Sequence, residues 1–167
     1  MRTFADNAGR TWTITLTIDA AKRVKRLLDV NLLELEAGDP PLLTRLGTDV
    51  ILLCDVIYVL IKPQADAAGL TDEQFGAALG GEAILAAQTA FYEELVDFFR
   101  KLGRTDLARA VDAQRRLIDL AVARIETRIE TLDLETAISR TLGEPSASTG
   151  GGSSTNWPAS SGSTPAR

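Results

Sequence analysis

The strictest alternation of apolar and polar side chains lies between Thr11 and Ile18. Threonines occupy one face of this stretch, and the other face carries Trp12, Ile14, Leu16 and Ile18. A period of two residues predicts a β-strand with one buried face. The segment Arg2–Phe4 and the turn-forming residues Asp6–Gly9 come before it. A small β-hairpin is therefore predicted at this end of the chain.

Beyond the hairpin, apolar residues recur at the spacing of helices. Asp19 is the expected N-cap of the first helix, and Pro63 is the expected end of the second. Thr71 with Gln74 matches a capping box, and Gly103 is expected to close the fourth helix. The five predicted helices cover approximately residues 20–30, 42–61, 69–79, 82–101 and 106–142.

The predicted fold class is mainly α with a small N-terminal β-hairpin (α+β). Residues 1–104 are expected to form the hairpin and a helical bundle, and residues 105–142 a long amphipathic helix. Residues 143–167 are rich in serine, glycine and proline. Such a segment buries too little apolar surface to offset the entropy of ordering, so it is predicted to be a disordered tail.

The core is predicted from apolar residues that share one face of a strand or helix. We expect it to contain Trp12, Ile14, Leu16, Val24, Leu28, Leu53, Ile57, Leu60, Phe91, Leu95 and Phe98. Asp55 interrupts the most apolar of the predicted helices. We expect its carboxylate to lie at the edge of the buried face and to pair with a basic side chain.

The long predicted helix carries a seam of apolar residues with the alternating spacings 4, 3, 4 and 3. These candidate partner-binding residues are Ile118, Val122, Ile125, Ile129 and Leu132. This spacing is that of a short coiled coil. A helix of about 36 residues is about 54 Å long, which exceeds the diameter of a domain built from the rest of the chain. Its second half is therefore expected to project or to pair with another subunit, which predicts a homo-oligomer.

Composition narrows the range of partners. The chain has 167 residues and a net charge of −5, whereas nucleic-acid binding requires a clustered excess of lysine and arginine. The one local cluster, Lys22–Arg26, is interpreted as a solvated helix face. The longest apolar run, Val50–Ile61, is shorter than the roughly 20 residues that span a bilayer. We expect no nucleic acid, no membrane and a cytoplasmic location, and the single Cys54 suits a reducing compartment.

Candidate chemistry is sparse. The absence of histidine removes the commonest general base and most zinc sites. Cys54 lies in an apolar segment, where a thiol is usually inert. Gly80–Gly81 is better interpreted as a turn between helices than as a phosphate-binding loop. We therefore predict no catalytic residues, no metal and no cofactor, and residues that serve protein binding instead.

The order of these segments resembles a known family. The opening "DNAGRTWTITLTIDAAKRV" is similar to that of the tail assembly chaperones of long-tailed phages and prophages. In those families a turn is followed by one strand, and a helix begins directly after that strand. Residues 50–99, with their buried helix and the capped helix "LTDEQF", resemble the helical body of the same proteins. The resemblance covers about residues 2–100.

The resemblance implies a protein without catalysis. It would coat the tape-measure protein of an assembling phage tail, keep it soluble and recruit tail-tube subunits in the host cytoplasm. Gly150–Gly152 would fit the frameshift site that many such chaperones use, although a plain flexible linker explains the same composition. The alternatives are another phage structural or head–tail joining protein, and a helical adaptor that oligomerises through its long C-terminal helix.

Overall fold

In the computed structural model the fold is mainly helical, with a two-stranded antiparallel sheet at the N-terminus. The structure describes residues 1–142, with side chains through Arg124 and at Thr127 and Arg128. The contacts between residues divide the protein into two units, Met1–Glu126 and a second unit that begins at Thr127. The first unit therefore includes the beginning of the long helix, which the sequence-based division placed in a separate segment. The predicted fold class is confirmed.

The predicted hairpin is present, with strands β1 (Arg2–Ala5) and β2 (Thr11–Ile14). Phe4 lies opposite Trp12 in the ladder, and both side chains are buried. The second strand is shorter than predicted, because the backbone N–H of Leu16 donates to the Glu94 carboxylate at 3.0 Å and not to another strand. Apolar and polar residues thus continue to alternate beyond Ile14, but these residues are not part of the sheet.

Helix α1 (Ile18–Leu28) begins earlier than predicted. Its N-cap is Thr17, whose hydroxyl accepts from the backbone N–H of Ala20 at 3.1 Å, so the prediction of Asp19 as the cap was wrong. Ile18 was expected on the buried face of the strand, but its side chain is 44% exposed because the helix has already begun.

The predicted second helix is two helices, α2 (Leu42–Thr48) and α3 (Val50–Ala67). They are separated by Asp49, whose extended backbone lets its carboxylate cap α3 by accepting from the N–H of Leu52. Pro63 was predicted to end this helix, but the prediction was wrong. Pro63 lies inside α3, on its exposed side.

Helices α4 (Asp72–Ala78) and α5 (Glu82–Lys101) follow the prediction closely. The capping box of Thr71 and Gln74 is formed by both of its hydrogen bonds. Gly103 follows α5 with a positive φ of 75°, which allows the backbone to turn at the end of the helix.

Helix α6 (Thr105–Leu142) packs its first two turns into the core through Leu107, Ala108 and Val111. The predicted core residues are buried, except that Leu28 is only partly buried at the edge of the cluster. The core also contains an aromatic cluster of which only Trp12 was predicted. In it Phe75 of α4 contacts Phe4, Trp12 and Tyr58 with ring centroids 5.5–6.4 Å apart.

Asp55 does not have the basic partner that was predicted. Among the described residues no lysine or arginine forms an ion pair with its half-exposed carboxylate. Burial, together with the negative charges of Asp72 and Asp49, raises the pKa of this carboxyl group. Lys62, two turns further along α3, pairs with Asp66 instead, and the sequence alone did not indicate this choice of partner.

Candidate partner-binding face

Helix α5 supports the hairpin with small side chains. Ala83, Ala87 and Ala90 are buried, and α5 packs along β1 more extensively than along β2. Alanine side chains allow a helix and a strand to approach closely. On the neighbouring side of the helix, Leu85, Ala86 and Thr89 are exposed. We call these three residues the α5 strip, because they separate two grooves on one face of the molecule.

The first groove lies between the α5 strip and α6. It encloses a cavity of about 180 Å³. The apolar part of its lining comes from Leu85 on α5 and from Ile118, Val122 and Ala123 on α6. We call it the α5–α6 groove. An apolar groove with helical walls is the kind of site that accepts the apolar face of an amphipathic helix.

Tyr92 lies at the base of the α5–α6 groove. Its side chain is fully buried, and its hydroxyl has no hydrogen-bond partner among the described residues. Burial raises the pKa of this phenol. A Cβ atom at Gly47 would clash with the side-chain amide of Gln114 and lie 3.6 Å from the Tyr92 hydroxyl oxygen. The absence of a side chain at Gly47 thus leaves space for the Gln114 amide of α6.

Arg115, which lies at the rim of the α5–α6 groove, has several carboxylate partners. Arg115 lies 3.2 Å from Asp112, 3.8 Å from Asp119 and 3.9 Å from Glu93. The hydrogen bond from Arg115 lowers the pKa of Asp112. The charged side chains at the rim are therefore already ion-paired. A ligand in the groove would mainly contact its apolar lining.

The second groove lies between the α5 strip and the outer edge of β1. It has a volume of about 580 Å³ and is lined by Met1, Arg2 and Thr3 on one side. The opposite side includes the α5 strip, Ala90 and Glu93. We call it the β1-edge groove. The two grooves share Leu85 and Thr89, so the face is continuous.

The structure brings together two of the five predicted partner-binding residues. Ile118 packs partly against the core, and Val122 is half-buried; both line the α5–α6 groove. The side chains of Ile125, Ile129 and Leu132 lie outside the described residues, as does the whole predicted tail, residues 143–167. The seam remains a prediction there.

The sequence reasoning did not identify the residues that α5 contributes to this face. Leu85 and Thr89 lie four residues apart on α5, but the uninterrupted apolar run 83–87 does not indicate which of its side chains stay exposed. Helix α6 also exposes Leu117 and Leu120, each 61% accessible, which lie outside the groove. A second apolar surface on α6 was likewise not predicted.

Sites for chemistry are few in the part of the chain that the structure describes. Burial raises the pKa of the half-buried Cys54 thiol, which lowers its thiolate content. Among the side chains that the structure describes, no three histidine, cysteine, aspartate or glutamate residues are placed to hold a metal ion. Of the helices described, none has the length and apolar character needed to cross a membrane.

Comparison with known proteins supplies no relative. The chain matches no protein-family model, no curated protein and no solved structure.

Proposed function

We propose that this chain is a non-catalytic tail assembly chaperone of a long-tailed phage or prophage. It binds the tape-measure protein and recruits tail-tube subunits in the host cytoplasm. The proposal combines the sequence resemblance over residues 2–100 with one structural observation. That observation is the α5–α6 groove, an apolar site between two helices.

The groove suits a tape-measure protein because such a protein is a long, largely apolar helix. An amphipathic helix binds a groove through apolar side chains spaced three or four residues apart. Leu85 and Val122 offer apolar contacts to such side chains, and the ion-paired Arg115 leaves the rim polar. Covering an otherwise exposed apolar stripe is what keeps such a client soluble.

The chain is also proposed to self-associate through α6. Leu117 and Leu120 are largely exposed in the first half of α6, outside the α5–α6 groove. The same observation favours the alternative function, a helical adaptor or another phage structural or head–tail joining protein that oligomerises through this helix. The two functions differ in whether a tape-measure protein is a client.

Co-expression tests the proposal. The gene would be expressed with the candidate tape-measure protein encoded beside it, and the soluble fraction of the tape-measure protein would be compared with that obtained alone. A chaperone predicts a large gain in soluble tape-measure protein that co-purifies with this chain. An insoluble tape-measure protein in both samples, with this chain soluble as an oligomer, favours the adaptor.

A further inference from the structure

The hydrogen-bond pattern of the hairpin defines which backbone groups of β1 face outward. The N–H of Asp6 donates to the carbonyl of Arg10 at 2.9 Å, so these opposed residues form a hydrogen-bonded pair. In an antiparallel ladder such pairs alternate. Phe4 is therefore bonded to Trp12, whereas the N–H and C=O groups of Thr3 and Ala5 point away from β2.

Two further contacts agree with this pattern. The Gln64 side-chain amide donates to the carbonyl of Thr13 at 2.7 Å and accepts from the N–H of Thr13 at 3.0 Å, which occupies the outward groups of this residue on β2. On the other strand, the N–H of Asn7 donates to the carbonyl of Ala78 at 3.0 Å. Both residues occupy outward positions in the same alternation.

The outward groups of Thr3 and Ala5 have no such partner among the described residues. Both residues are exposed. The free edge of β1 thus offers two backbone N–H donors and two carbonyl acceptors. Beyond Ala5 the edge is closed by the hydrogen bond between Asn7 and Ala78. Unpaired edges of this kind are templates for an additional strand.

The β1-edge groove provides space beside this edge. Its volume of about 580 Å³ lies over the α5 strip, and Ala86, Thr89 and Ala90 present only small side chains. A strand placed next to β1 would cover the three exposed residues of the α5 strip. Alternate side chains of that strand would face α5.

We propose that β1 binds an extended, uncharged segment of another protein as a third strand, with small or apolar side chains facing the α5 strip. Recognition is carried by backbone hydrogen bonds to Thr3 and Ala5, as in other cases of strand addition. The site is distinct from the α5–α6 groove, and the inference does not depend on the proposed chaperone function.

The charges at the site define the chemistry of the segment. Arg2 lies 3.4 Å from Glu93 and 2.8 Å from Asp97, so the charged side chains next to the groove are already paired. A charged side chain facing α5 would find no unpaired counterion among the described residues of the groove, and its desolvation would oppose binding. An uncharged segment avoids this cost.

The hairpin of a second copy is a poor occupant. It would carry its own α5 along β1, and paired strands lie about 4.8 Å apart. Two packed helices need about 8–10 Å between their axes. A segment without a helix of its own meets no such obstacle.

The test uses the full chain labelled with ¹⁵N and an acetylated, amidated peptide, Thr-Val-Ser-Val-Thr, as the probe. Binding should shift the amide signals of Thr3 and Ala5 and slow their exchange with solvent. The same peptide methylated on its backbone nitrogens is the matched control and should leave these signals unchanged. The Ala5→Pro variant removes one outward donor but no bond to β2, and should weaken peptide binding about fivefold.

The indole N–H signal of Trp12, which is bonded to Asp6, reports whether the hairpin of the variant is intact. Equal binding of the methylated peptide, or shifts confined to α6, would overturn the proposal. Protection of Thr3 and Ala5 before any peptide is added would overturn it as well. In that case the edge is already covered, and dilution would distinguish a second copy from residues 143–167 of the same chain.

Discussion

Asp6 anchors the hairpin, and replacing it with asparagine should destabilise the protein strongly. The carboxylate is buried, and it accepts four hydrogen bonds. One oxygen accepts from the backbone N–H groups of Ala8 and Arg10 at 3.0 and 2.9 Å. The other accepts from Arg10 Nε at 2.7 Å and from Trp12 Nε1 at 2.9 Å. Asparagine keeps one acceptor oxygen but presents an NH₂ group to the other two donors.

The magnitude follows from the two bonds that asparagine cannot make. A hydrogen bond to a charged group contributes about 1.5–3 kcal/mol, and a buried donor without a partner costs about 1–3 kcal/mol. Arg10 is one-third exposed and can turn toward water, whereas the Trp12 side chain is almost fully buried. We therefore expect Asp6→Asn to lower the free energy of unfolding by about 3–4 kcal/mol.

Urea unfolding followed by circular dichroism at 222 nm measures this loss. Asp66→Asn is the matched control, because it removes the same charge from an exposed pair with Lys62 and should cost less than about 0.5 kcal/mol. Equal stability of the two variants would refute the account of the hairpin.

The loss should also depend on pH. Burial raises the pKa of Asp6, but the hydrogen bonds from Trp12 and Arg10 outweigh it, and the pKa lies below the ordinary value. A carboxyl group whose pKa is lower in the folded protein stabilises the fold fully at pH values above its unfolded pKa of about 3.9. This contribution is lost as the pH falls from that value through the folded pKa. The difference between wild type and Asp6→Asn should therefore shrink below about pH 4. A difference that stays constant down to pH 2 would contradict the assignment.

Four further changes test other parts of the structure. Tyr92→Phe removes a buried hydroxyl that has no partner in the described part of the chain, and it should leave stability unchanged or raise it by about 1 kcal/mol in urea unfolding; a clear loss would mean that the hydroxyl is bonded. Thr71→Ala should lower stability by about 1 kcal/mol, since it removes the cap of α4, and no change would count against that cap. Leu53→Asp should abolish cooperative thermal unfolding by burying a charge, and an unchanged melting temperature would contradict its place in the core. Replacing both Ile125 and Ile129 with glutamate should give a folded monomer in sedimentation, whereas a wild type that is already monomeric at high concentration would refute the predicted seam.

Local patterns in the sequence predicted most helices and the hairpin. Alternation identified the face of Trp12 and Ile14, and the spacing of Thr71 and Gln74 identified a capping box that forms as expected. These features depend on residues close in sequence. The end of β2 was mispredicted because it depends on Glu94, which lies far away in the chain.

The same reason explains the errors around α3. A proline normally ends a helix, but α3 continues past Pro63, where Gln64 bonds to Thr13 and Ala65 is buried in the core. Tertiary contacts thus hold the last turn in place. Only the fold brings the α5 strip between β1 and α6, so the grooves on either side could not be predicted from the periodicity of one helix.

The central claim is that the α5–α6 groove binds the tape-measure protein, and a pair of matched variants tests it most directly. Val122→Glu places a negative charge in the groove, whereas Leu27→Glu places the same charge on the exposed side of α1. Both would be co-expressed with the tape-measure protein, after circular dichroism has shown that each is folded. The account predicts that Val122→Glu leaves the tape-measure protein insoluble and that Leu27→Glu keeps it soluble. Equal solubility with both variants would contradict the assignment of the groove.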